Sequence, residues 1–219
     1  MAGFDLGTAL IKAFKETALM SGISLLAAVI IGGALGLLLY ATGSHLFVRN
    51  RLINQIVGVI INVVRSVPFL ILLVLLIPLS KAVVHTTIGP TAVVIPLSVA
   101  AIAFFARLAD AAFSDVNQGV IEAAISTGAS KWAVIARVLL PEALPSLVRS
   151  ITVTAVSLIG FSAMAGTVGG GGVGDLAIRY GYQRYQTDVM LVCVVLLVIL
   201  VQGVQLTGDL IANKLDKKR

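Results

Sequence analysis

From Thr17 to Val48 the chain carries no Asp, Glu, Lys or Arg. The apolar part of this stretch, Thr17 to Tyr40, would be about 36 Å long as a helix, enough to cross a hydrocarbon core of about 30 Å. Lys12 and Lys15 precede it, as basic residues precede a secretory leader. The run is too long for a leader's apolar region and no small-x-small site closes it, so a retained span is predicted. The rest of the chain has the same character: 58% of its 219 residues are hydrophobic and 12% are charged. That is about half the charged share of a soluble domain, and a soluble fold of this size could not hide so much apolar surface. An all-α integral membrane protein is therefore expected. Disorder and a collagen-like fibre are excluded by the same composition, and a single cysteine, Cys193, excludes an internal disulfide.

Further charge-poor runs predict five spans in a single membrane domain covering 1–219, near 17–40, 58–80, 86–106, 150–168 and 189–208. The second is awkward: Ser66 to Ser80 is too short to cross alone and must borrow from Gly58 to Arg65. Basic residues set the orientation. With the N-terminus outside, ten of the sixteen Lys and Arg lie inside: Arg49, Arg51, Arg107, Lys131, Arg137, Arg149, Lys214, Lys217, Lys218 and Arg219. Lys12, Lys15, Lys81, Arg179 and Arg184 lie outside. The bias predicts N-out and C-in, explains most of the net charge of +6, and leaves no reason to invoke nucleic acid.

The longest inner segment, 107–149, carries a patterned stretch. Asn117 can cap a short helix whose first turn would hold Glu122 near its positive end. Ala123 and Ala124 allow a partner to approach closely. Gly128 can end that helix in a left-handed conformation. Ser130 can cap a second helix from Lys131, which Pro141 and Pro145 would stop. The expected result is a short helix held crosswise beneath the bilayer.

Glu122-Ala123-Ala124, three residues, Gly128, nine residues, then Val138-Leu139-Leu140-Pro141 resembles the E-A-A-x3-G-x9-I-x-L-P loop of ABC importer permeases, with Val138 replacing Ile. Arg65-Ser66-Val67-Pro68-Phe69, Gly160-Phe161-Ser162-Ala163-Met164, the run from Val168 to Gly174 and Tyr180-Gly181-Tyr182 resemble the methionine-uptake subgroup. The resemblance implies a type I importer permease fold in a bacterial inner membrane. It implies a homodimer working by alternating access, two ATP-binding subunits on the cytoplasmic face, and an external substrate-binding protein. Glu122, Ala123, Ala124 and Gly128 would couple to the ATPase. No G-x-x-x-x-G-K-[ST] occurs in the chain, so ATP hydrolysis is expected in the partner and no enzyme activity, cofactor or metal in this chain.

Other candidates follow from position. Met164, with Phe161 as the alternate, could close a pore at the two-fold axis, since it lies roughly 21 Å along a helix from Ser150; packing against a neighbouring span is the other role open to it. Asn62 and Arg65 share a polar face with Gln55, Gly58 and Ser66, which either lines an inner vestibule or lets Arg65 snorkel to lipid headgroups. Gly169 to Gly174 satisfies a dinucleotide template only by glycine abundance; tight turns and close packing in an outer loop are expected. His45 and His85 fall on opposite sides of the membrane, and Asp110 and Asp115 read as solvated charges. Tyr180, Tyr182 and Tyr185 suit the membrane interface or a docking partner outside. A permease for another small amino acid or amphiphilic solute, a secondary transporter and a scaffold are the competing functions. Carboxylates deep in the spans and internal repeats, the usual marks of a secondary transporter, are not evident.

Overall fold

The computed structural model describes residues 5–43, 47 and 49–216. His45, Val48, Lys217, Lys218 and Arg219 lie outside the described residues. Every regular element among those described is helical. Helix α1 spans Leu6–Gly43 and contains a π turn at Ala28–Gly32; α2 is Arg51–Ser66, α3 Phe69–Leu75 and α4 Ile77–Val84. Helix α5 is Pro90–Ser114 and α6 Gln118–Ser126. Helix α7 runs over Lys131–Val168, α8 is Gly172–Leu176 followed by a π turn at Ala177–Tyr182, and α9 is Thr187–Leu215.

Among the described residues four helices are long and apolar enough to cross a membrane: α1, α5, α7 and α9. The segment expected as the second crossing, 58–80, falls on α2, α3 and the first turn of α4, and α2 and α3 meet at a bend of 103°. Pro68 explains the bend. It removes a backbone donor and forces Val67 into extended geometry, with φ −83° and ψ 124°. Counting that pair as one broken span gives five crossings.

Helix α5 is the centre of the bundle. Half of its most apolar window is buried, against 11% for α9. In lipid, apolar side chains gain nothing by hiding from the surroundings, so helices associate where small residues allow close contact. The sequence of α5 provides Ala101, Ala103, Ala106, Ala109 and Ala112, all buried. Helix α1 meets them with Gly32 and Gly36. A Cβ on Gly36 would lie 2.6 Å from the Ala106 carbonyl oxygen, so only glycine permits this crossing. By contrast Ile30, Val59, Ile60, Leu191, Val195 and Ile199 point outward, as lipid-facing residues should.

Two expectations are corrected. Pro141 and Pro145 do not stop a helix; α7 continues through both. A π turn over Ile135–Leu139 ends two residues before Pro141 and widens the backbone where the proline ring would otherwise strike the preceding turn. Most of 107–149 is thus helix rather than loop. Asp110 is no solvated loop charge: it lies on α5, and its carboxylate pairs with Arg107 at 3.1 Å.

Candidate functional site

One end of the bundle is organised around α6. Asn117 Oδ1 accepts from the Gly119 amide at 2.8 Å and caps the helix start. At the other end the Gly128 amide donates to the Ile125 carbonyl at 2.9 Å and the Ala129 amide to the Ala124 carbonyl at 3.3 Å. These two bonds form a Schellman closure, with Gly128 at φ +82°. Among the described residues beyond its two chain neighbours, nothing lies within 4 Å of a Cβ built on Gly128, so its left-handed backbone, and not crowding by them, requires glycine.

One face of α6 is anchored. Ile121 is fully buried, in a cluster that includes Tyr40, Phe47, Phe113, Val134 and Leu139. The Tyr40 ring lies 5.8 Å from that of Phe47 and 6.0 Å from that of Phe113, which ties the adjoining ends of α1 and α5 beneath it. Ala124 turns toward this cluster, whereas Glu122, Ala123 and Gly128 are exposed. The two alanines of the motif therefore have different surroundings. Glu122 lies in the second turn of α6, not the first as expected, because the helix begins at Gln118. Its charge is thus too far from the helix start to gain much from the positive end.

Ser130 Oγ accepts from the Ala133 amide at 3.3 Å and starts α7. The Lys131 ammonium donates to the Phe47 carbonyl at 2.9 Å, fastening the α6–α7 corner to the connection after α1. Beside it Trp132 is 74% exposed. Sequence reasoning passed over Trp132; its signal was there, as the one tryptophan of the chain two residues past the Ser130 N-cap.

Asn62 and Arg65 do not act together within the chain. Asn62 Oδ1 accepts from Arg107 at 3.0 Å, which joins α2 to the Arg107–Asp110 pair on α5. Arg65 is exposed on the same polar side as Gln55 and Ser66. Met164 and Phe161 also part company. Phe161 stacks on Phe69 with centroids 4.8 Å apart, bridging α7 and α3. Met164 is 51% exposed near the C-terminal end of α7. The loop beyond it has three glycines at positive φ, and the Gly172 amide donates to Glu16 at 2.8 Å. That bond places a carboxylate at the start of α8, where the helix end is electropositive. Burial is the largest effect on Asp175 in α8 and pushes its carboxyl above the ordinary range; Glu16 adds to this, and Arg179 opposes it.

A family model described as "binding-protein-dependent transport system inner membrane component" matches residues 29–219. The chain belongs to this family of transport-system membrane components. Individual relatives agree over nearly the whole permease. The probable D-methionine transport system permease protein MetI of Vibrio cholerae is 45% identical over 209 residues, which cover 95% of this chain and 93% of that one. The methionine import system permease protein MetP of Bacillus subtilis is 44% identical, covering 83% and 82%. Among solved structures, a chain from inward-facing conformations of the MetNI methionine ABC transporter superposes with a TM-score of 0.95 at 40% identity, over 98% of this permease and 100% of that chain.

Proposed function

We propose that this permease is the membrane subunit of an ATP-driven importer of methionine, operating as a homodimer that alternates between inward- and outward-open states. The observation that carries this reading is near-complete correspondence, in sequence and backbone, with methionine-transport permeases. Arg65, Gln55 and Ser66 on α2 and Met164 on α7 are exposed in the single chain, and a second copy would cover them.

Coupling follows from mechanical continuity. The exposed side of α6, with Glu122, Ala123 and Gly128, docks on the cytoplasmic ATP-binding subunit, and Trp132 anchors its edge. Ile121 and the Lys131–Phe47 bond hold α6 to the bundle, so displacement of α6 moves helices rather than loosening a loop. Helix α7 then acts as a rod of about 57 Å from the docking corner to the outer loop. Two prolines remove hydrogen bonds near its inner end, beside the π turn, and make that region its pliant point. Met164, at the far end, meets its two-fold mate and closes the route until the rods rock apart. The termini lie N-out and C-in in the bacterial inner membrane, and an external binding protein delivers the solute. This chain hydrolyses nothing itself; the nucleotide chemistry belongs to the partner.

Purification of the permease with its ATP-binding subunit and binding protein, followed by ATP hydrolysis with and without methionine, tests the reading. Stimulation that requires both methionine and the binding protein supports it. Hydrolysis indifferent to both refutes it.

A further inference from the structure

The turn between α8 and α9 combines full exposure with a fixed shape. Every residue from Tyr182 to Asp188 is exposed. Yet the Gln183 amide donates to the Ile178 carbonyl at 2.9 Å, and the Gln186 amide to the Tyr180 carbonyl at 3.3 Å. Gly181 lies so close to α9 that a Cβ there would stand 2.9 Å from Met190 Cβ. The Arg184 guanidinium rests over the Tyr180 ring, 4.4 Å from its centroid.

On this rigid base stands Tyr185. Its backbone is left-handed, at φ +56°, and the residue is 89% exposed, the most exposed of the large apolar and aromatic residues described. Folding of this chain gains nothing from holding a tyrosine in an unfavourable backbone region out in water. A partner would gain, because tyrosine and arginine are the residues that most often anchor interfaces, and a preformed shape lowers the cost of association. Charge indicates the partner's chemistry. Lys12 is 3.9 Å from Glu16, and Arg179 is 2.6 Å from Asp175, so both have a carboxylate at hand. Among the described residues no carboxylate lies within ion-pair reach of Arg184. A membrane-inserting turn would offer aliphatic side chains; Tyr182-Gln183-Arg184-Tyr185-Gln186-Thr187-Asp188 offers none, and Asp188 disfavours anionic headgroups.

We infer that this turn receives the external binding protein, with Arg184 and Tyr185 as its anchors and a carboxylate beside a shallow apolar pocket as their counterpart. The inference rests on the importer function and on the N-out orientation proposed above.

The test uses the full transporter complex in nanodiscs of neutral lipid, with the methionine-loaded binding protein of the same system as the probe. Tyr185→Gly removes the ring while favouring the left-handed backbone, so it cannot fail by strain. Arg184→Glu reverses the anchoring charge. Each variant is expected to weaken binding at least tenfold and to abolish stimulation of ATP hydrolysis by the binding protein, while basal hydrolysis is unchanged. Wild-type affinity in both variants overturns the assignment. So does an effect seen only as lost association with vesicles containing anionic lipid, which would make the turn a lipid contact. If the wild-type complex itself does not bind the probe, the importer reading falls together with this surface; if it binds and the variants bind equally, only the surface falls.

Discussion

Gly128 can be required for two separable reasons, and a three-member substitution series distinguishes them. Its φ of +82° penalises any residue with a Cβ, by about 1–2 kcal/mol for most L residues and less for asparagine. That is a factor of roughly 5 to 30 in the local equilibrium between the closed and frayed end of α6. Since nothing among the described residues beyond its chain neighbours lies within 4 Å of the added Cβ, none of them adds a steric cost. The permease alone should therefore rank Gly128→Asn as milder than Gly128→Ala and Gly128→Leu, which should be alike. Protection of the α6 amides in hydrogen exchange reads this order. Docking on an ATP-binding subunit imposes a different order, because size now matters: alanine is tolerated best, asparagine less, leucine least. Affinity for the ATP-binding subunit, measured in detergent, reads the second order, and Gly128→Leu should also uncouple hydrolysis from uptake. If affinity follows the backbone order, with asparagine the mildest, then Gly128 does not face the partner and the docking surface has been misplaced.

Trp132→Ala should leave folding intact, since the ring is largely exposed, and weaken assembly with the ATP-binding subunit by about 2 kcal/mol, a level typical of an interface anchor; unchanged assembly would remove it from the interface. In a Cys193→Ala background, Met164→Cys should form a disulfide between subunits in the resting state and lose it during ATP turnover, and the absence of cross-linking in both states would sink the gate. Asp175 should make stability pH-dependent. Its carboxyl is raised above the usual 3.8 chiefly by burial, so the folded state holds the proton more tightly than the unfolded one. Stability should fall as pH rises from about 3.8 through the raised value and level off above it; Asp175→Asn should flatten this slope, and an unaltered slope in that variant contradicts the assignment. For orientation, cysteines at Thr127 and Arg184 in the same Cys193→Ala background should respond oppositely to an impermeant thiol reagent on spheroplasts, with position 184 labelled and position 127 spared. Thr127 suits the inner side because it is exposed, whereas the neighbouring Lys131 ammonium is engaged by the Phe47 carbonyl.

What could be read from the sequence alone was whatever depends on local chemistry or on hydropathy. Long charge-free runs marked a membrane-embedded helical protein, because unpaired charge and unpaired backbone are both costly in hydrocarbon. The capping of α6 by Asn117, the left-handed Gly128 and the cap at Ser130 were all legible, since each is settled within a few residues of chain. Tertiary structure decided the rest. Two prolines would end an isolated helix, yet α7 passes through them: a π turn before Pro141 makes room for its ring, and packing of the helix on its neighbours holds the rod together through Pro145. Pro68, by contrast, does break its helix, and the stacking of Phe69 on Phe161 supports the redirected chain. The outcomes differ through neighbours that no local pattern reveals. The same holds at the site: adjacency in sequence cannot tell that Ala123 faces out while Ala124 packs inward, because that division is set by Ile121 finding its cluster across α1, α5 and α7.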